Sequence, residues 1–293
     1  MADKEKKAGK PLKIADSKYR KVIAYLLSFI LSLLLLLSTL CLVAYFRVMS
    51  ERHIINTLGD EYYEGVLKTA VASAEDITMP TGIDVSVIDG VFDIDGVKRD
   101  VNGYISAAFA GETYTPDTEA SDNRLYKNVS EFLDSHDVTL VNEKKETIDA
   151  YIKEINAEYA LHTKLPGLGI ISKYRTKYLK IVTIAFFVLL GLSVIITAII
   201  IKMYRHPHRG MRFIAYATGG TALMALAAPL YLLIGGRYKG LNLSPEHFYN
   251  FAIRLITRLL VSCVIAAVIW LLITAALAFA IQMMRKRLIK DSK

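Results

Sequence analysis

Residues 22–46 read VIAYLLSFILSLLLLLSTLCLVAYF, 25 positions without an Asp, Glu, Lys or Arg. A helix needs about 20 apolar residues to cross the hydrocarbon of a bilayer, because backbone amides in lipid must bond within their own segment. The run is long enough to span. It also exceeds the roughly 7–15 apolar residues of a cleaved leader. Ser38-Thr39-Leu40 before Cys41 lacks the small residue that a lipoprotein cleavage site wants just before its cysteine. We therefore read an uncleaved anchor.

Three more runs are free of those four residue types: Ile181–Ile201, Phe213–Gly236 and Leu259–Met284, of 21, 24 and 26 residues. The 293-residue chain is 53% hydrophobic with a mean hydropathy of +0.34, too apolar for an ordinary soluble protein of its size.

Positive charge sets the expected threading. Eight Lys/Arg precede Val22, the link Lys202–Arg212 has four and no acid, and five follow Met284. If all four runs cross, these segments share one side, and that side is the cytoplasm. The segment Val48–Tyr178 then lies outside, with 13 Lys/Arg against 23 Asp/Glu, a net of −10. The whole-chain charge of +8 reflects membrane flanks, so no nucleic-acid partner is expected.

The expected organisation is a basic cytoplasmic tail (1–21), a first span (22–47), an extracytoplasmic helical domain (48–178) and a second span (179–203). A cytoplasmic link (204–211), a third span (212–236), an extracytoplasmic loop and helix start (237–258), a fourth span (259–284) and a basic tail (285–293) follow. The fold class is an all-α membrane protein: four transmembrane helices, with one all-α extracytoplasmic domain inserted between the first and second. The expected location is the cell (plasma) membrane, with both termini cytoplasmic.

Within the outer segment, residues 89–105 read DGVFDIDGVKRDVNGYI. The four aspartates Asp89, Asp93, Asp95 and Asp100 raise the question of a calcium loop. From Asp93, Asp95 fits the third position, but Val97, Lys98 and Tyr104 occupy those that need a ligand, a glycine and a glutamate. Val97, Val101, Tyr104, Ile105 and Ala108 instead follow a helical period. Asp93 or Asp95 is expected to cap a helix running to about Ala110.

The same period links Ile55, Leu58, Tyr62, Val66 and Thr69 in a stripe expected to continue upward from the first span. It recurs at Leu125, Val129, Phe132 and Leu133, and again at Ile148, Tyr151, Ile152, Ile155 and Tyr159, opened by Asn142. Four or five outer helices result. Val85, Val87 and Val91 suit a short strand. Asn128-Val129-Ser130 matches a glycosylation sequon, but Val129 falls on a core stripe.

The spans offer Ser, Thr and Tyr rather than charges, which argues against a proton-coupled pump or ion channel built from this chain alone. Ala215, Gly219 and Ala222 form a candidate helix-packing face in a run of small residues. Cys41 and Cys263 lie in spans and are expected to pack as thiols rather than pair. Ser244-Pro245-Glu246 suits a helix opening that runs into the fourth span.

Arg254 and Arg258, four apart, are candidate contacts to a lipid phosphate or to an acid on the outer domain, although such arginines more often snorkel to the interface. Lys173, Arg175 and Lys177, ahead of the second span, are candidate lipid or partner contacts too. Arg205-His206-Pro207-His208-Arg209 reads as a basic turn against anionic headgroups rather than a metal site. His53, His136, His162 and His247 are scattered. No metal, cofactor or catalytic motif is expected.

A lysine-rich tail, the anchor LLSFILSLLLLLSTL, and the helices GVFDIDGVKRDVNGYISAAFAG, LYKNVSEFL and ETIDAYIKEINAEY precede three closing spans. In this the chain resembles uncharacterised four-span integral membrane proteins of Gram-positive bacteria. The resemblance implies architecture and location and no activity. The layout is also similar to ABC-transporter permeases with an outer domain between spans one and two. The leading expectation is a non-enzymatic binding, sensing or scaffold protein whose outer domain binds a protein partner, envelope component or ligand, while the four spans anchor or oligomerise it. The alternative is a transport-associated subunit working with a separate ATPase.

Overall fold

The computed structural model describes residues 17–136 and 142–290, and among them every regular element is helical. In chain order the helices are α1 (Ser17–Val43), α2 (Glu51–Leu58), α3 (Asp60–Thr78), α4 (Ile94–Ala110), α5 (Glu119–Ser135), α6 (Asn142–His162), α7 (Leu168–Lys202), α8 (Pro207–Gly235) and α9 (Glu246–Lys290). Two compact units result, one of residues 17–48, 179–238 and 257–290, the other of residues 49–178 and 239–256.

The first unit carries long apolar helical segments. Four helices are long and apolar enough to cross a membrane: Tyr19–Val48, Lys173–Lys202, Pro207–Gly235 and Glu246–Lys286. Their large side chains point away from protein. Ile184, Phe187, Ile234 and Leu272 are all exposed. A water-soluble surface does not display that much contiguous hydrocarbon. Four long apolar helices of this kind mark a membrane protein.

Their mutual packing uses small and hydroxylated residues. With lipid as apolar as leucine, close van der Waals contact and hydrogen bonding hold such helices together. On α1 the buried positions Ala24, Ser28, Leu31 and Ser32 form one stripe, and on α8 Phe213, Ala217, Thr221 and Ala225 recur every fourth residue. Ser28 Oγ donates to the Phe213 carbonyl at 2.5 Å. Thr221 Oγ1 donates to the Ser32 carbonyl at 3.1 Å and to Ala217 within its own helix at 2.9 Å. Both contacts advance together along the two helices, so α1 and α8 run parallel. Ile196 and Ile200 of α7 close the same cluster. From α9, the Trp270 indole donates to Thr39 Oγ1 and the Thr274 hydroxyl to Thr218 Oγ1, each at 2.9 Å.

The second unit builds its own core. Ile54, Leu58, Tyr62, Val66, Val97, Val101 and Ile105 pack α2 and α3 on α4, joined by Tyr159, Leu168 and Phe251. An adjoining cluster gathers Val87, Ile88 and Val91 with Leu125 and Val129 of α5 and Ile148, Ile152 and Ile155 of α6. Phe92 touches both clusters and stacks on Tyr159 at 4.7 Å.

The aspartate question is answered by α4. Asp93 is its cap: backbone extended, carboxylate accepting from the Gly96 amide at 2.7 Å. That bond, then Arg124, hold the Asp93 carboxyl below the usual carboxylate range. The helix ends at Ala110, where Gly111 takes a left-handed φ of 81°.

Two expectations are corrected. The stripe from Ile55 to Thr69 does not continue the first span. The α-helix stops at Val43, one π turn covers Ala44–Val48, and Ser50 caps a fresh helix at Glu51. A second break falls at Gly59, whose φ of 74° no helix accommodates. The residues Val85–Ile88 form a 3₁₀ turn rather than a strand. With no partner strand, the carbonyls here are satisfied by α5. Asn128 Nδ2 donates to Val87 at 2.8 Å, and Arg124 Nη1 to Gly90 and Val91 at 3.1 and 3.2 Å. The sequon asparagine is thus part of the packing, beside a fully buried Val129.

Candidate functional site

Cations gather in the first unit around a cavity of about 870 Å³. Each wall comes from the end of a helix. Arg20 and Lys21 stand in the opening turns of α1, and His208, Arg209 and Arg212 in those of α8. Arg285 lies near the end of α9, and Tyr204 in the link between α7 and α8. No carboxylate is among the described residues of the lining.

The remaining wall is aromatic. Tyr204 lies parallel to Phe213 at 5.4 Å, and the Arg20 guanidinium sits 5.5 Å from the centroid of the Tyr204 ring. Tyr25 meets Phe213 edge-on at 5.0 Å and stacks on Tyr216 at 6.1 Å. These rings pack on one another, with Arg20 held over Tyr204. The Tyr204 hydroxyl is buried and makes no hydrogen bond among the described residues. Gly210 lets α8 turn in here: a Cβ on it would lie 3.1 Å from backbone atoms of Ile200 and Ile201.

Compared with protein-family models, curated proteins and solved structures, the chain matches none. What the site can do is therefore argued from its own chemistry.

The residues singled out from sequence fall elsewhere. Arg254 belongs to the second unit, where its guanidinium donates to the Leu58 carbonyl at 3.1 Å and to the Glu61 carboxylate. Arg175 Nη1 donates to the Phe109 carbonyl at 2.7 Å, and its guanidinium sits 4.8 Å from the Phe109 ring. It thereby serves the last turn of α4, where free carbonyls and the helix dipole favour a cation. Lys173 lies over Tyr174 at 5.8 Å, and Lys177 and Arg258 are exposed. Ala222 is fully buried, a Cβ on Gly219 would meet Thr274 of α9 at 3.5 Å, and Ala215 is partly buried. Cys41 and Cys263 are free thiols.

In the second unit a groove of about 420 Å³ runs between α5 and α6, with Asp122, Tyr126, Asp149, Lys153 and Asn156 along it. The buried Asp100 carboxylate is enclosed by protein donors instead: Tyr159 at 2.6 Å and Tyr114 at 3.0 Å. Among the described residues, no three His, Cys, Asp or Glu side chains assemble a metal site.

Sequence reasoning noticed the basic link at 205–209 and the two basic flanks but did not join them. The usable signal is the very short connection between α7 and α8, which leaves α8 to begin beside the end of α7. Cations one or two turns outside three separate apolar runs then share one rim.

Proposed function

We propose that this is a multi-pass plasma-membrane protein. Its helical unit lies outside the cell and binds a protein partner or an envelope component, while the four spans anchor it. Both described chain ends, near Ser17 and Lys290, face the cytoplasm. The observation that carries this reading is the charge distribution on four apolar helices. The tail before Val22, the link 202–212 and the segment after Met284 carry eight, four and five Lys/Arg, while residues 48–178 carry 13 Lys/Arg against 23 Asp/Glu; Lys173, Arg175, Lys177, Lys180, Arg237 and Lys239 at the opposite helix ends weaken this bias without reversing it. The groove between α5 and α6 is the concave surface we assign to the partner, its mixed charges suiting a polar protein surface.

Single cysteines test the threading. In a background with Cys41 and Cys263 replaced by serine, Ser135→Cys should react with an impermeant maleimide on intact cells. Arg205→Cys should react only after permeabilisation. The reverse pattern overturns the proposal. Cross-linking from Lys153 in native membranes then identifies the partner. Recovery of a nucleotide-binding subunit as the stoichiometric companion would assign the chain to transport instead.

A further inference from the structure

We propose that the cationic cavity between the ends of α1, α8 and α9 is a binding site for an anionic phosphate ester, supplied by a phospholipid headgroup. This goes beyond the role assigned to the helical unit and does not depend on which partner that unit binds.

Two observations converge on it. Arg20, Lys21, Arg209, Arg212 and Arg285 line one concavity with no carboxylate among the described lining residues. Like charges so placed repel, and an anion among them removes that cost. Arginine is the side chain best shaped for the task, since its planar fork matches phosphate oxygens two at a time. The second observation is shape. Basic residues that merely snorkel spread outward along the interface, whereas these surround a space of about 870 Å³ backed by Tyr25, Tyr204 and Phe213. That volume lies in the usual range for sites of small ligands, roughly 300–1,000 Å³.

The position favours a lipid over a soluble metabolite. The cavity is bounded by the termini of candidate membrane-spanning helices, at the level where headgroups lie. A phosphodiester carried on a diacylglycerol enters from the side, with its tails along the exposed apolar faces.

The test uses full-length protein in a neutral detergent, titrated with phosphatidylglycerol or phosphatidylcholine and read by native mass spectrometry. Phosphatidylglycerol should bind about tenfold or more tightly than phosphatidylcholine. The pair Arg212→Gln/Arg285→Gln should lose that preference. The pair Arg205→Gln/Lys286→Gln removes the same charge outside the cavity and should keep it. Size-exclusion profiles identical to wild type establish that each variant is folded. Competition by inorganic phosphate or glycerol 3-phosphate at constant ionic strength separates the two sources. Displacement at millimolar concentration assigns the site to a free phosphate ester, and resistance assigns it to the lipid. Equal losses in both double variants, or equal binding of the two lipids by wild type, overturn the site.

Discussion

The hydroxyl of Tyr159 donates to Oδ2 of Asp100 at 2.6 Å. Tyr114, from the segment after α4, donates to the other oxygen at 3.0 Å. A carboxylate only 1% exposed is thus held by two phenols rather than by a close cation. Arg99 stands 3.8 Å away, itself largely in solvent. Removing the acceptor strands both hydroxyls, and leaving buried polar groups unpaired costs about 1–3 kcal/mol each. Asp100→Ala should therefore lower the thermal midpoint of the full-length protein in detergent by many degrees, while Asp100→Asn should lower it less. Circular dichroism at 222 nm reads the difference.

The same contact makes the fold sensitive to alkali. Burial, then Asp100, push the Tyr114 phenol from 10.0 to about 12, and Tyr159 rises in the same direction for the same reasons. A raised folded-state value means the native form keeps its proton when the unfolded chain has lost it. The contribution is complete below pH 10 and fades between pH 10 and about 12. Phenolate absorbance followed through that window should show late-titrating tyrosines, with one fewer in Tyr114→Phe.

Asp93 has the opposite sign. Its carboxyl is held down by the Gly96 amide first and Arg124 second. Its contribution is complete above the ordinary carboxyl value of 3.8 and disappears as pH falls through the lower folded value. Asp93→Ala should cost about 1 kcal/mol at neutral pH, the usual worth of a helix cap. Asp93→Asn should retain much of it and remove the acid dependence. The Arg124 pair is half-exposed and adds little.

Two glycines make room for side chains. A Cβ on Gly103 would lie 2.5 Å from the Tyr114 ring, and one on Gly59 would lie 2.5 Å from Arg254 Nη1. Gly59 also has a φ of 74°. Gly103→Ala should expel Tyr114, abolishing the change caused by a further Tyr114→Phe. Gly59→Ala combines backbone strain with loss of the Arg254 contact and should cost about 1–3 kcal/mol. A double-mutant comparison with Arg254→Gln should reveal the shared portion as non-additive.

In the first unit, Gly220 faces Ser32, and a Cβ there would lie 3.4 Å from the serine Cβ. Gly220→Ala should be tolerated, whereas Gly220→Leu should force α8 from α1 and lower the yield of monodisperse protein. A Cβ on Gly191 would meet nothing within 4 Å, so that position should accept leucine without such loss.

Local signals carried much of this architecture. The spans follow from uninterrupted apolar runs, the start of α4 from the reach of Asp93 to Gly96, and the buried face of α6 from the period of Ile148, Ile152, Ile155 and Tyr159. What escaped depends on partners far away in the chain. Arg254 meets Leu58 and Glu61 across 196 and 193 positions. The Val85–Ile88 turn is settled by the amide of Asn128, and no valine pattern announces that. The break at Gly59 lies inside a smooth apolar stripe, because periodicity reports which face is buried and not whether the backbone is continuous. The cationic cavity escaped for the same reason: its walls come from three helix ends and a link.

The bond from Ser28 to the Phe213 carbonyl joins positions 185 apart. A ribosome working at about 5–20 residues per second needs on the order of ten seconds or more to cover that distance. For that interval the serine-bearing face of α1 is without the helix it meets in the folded chain. The α1–α8 contact is therefore completed late in synthesis, by a helix made long after the face it covers.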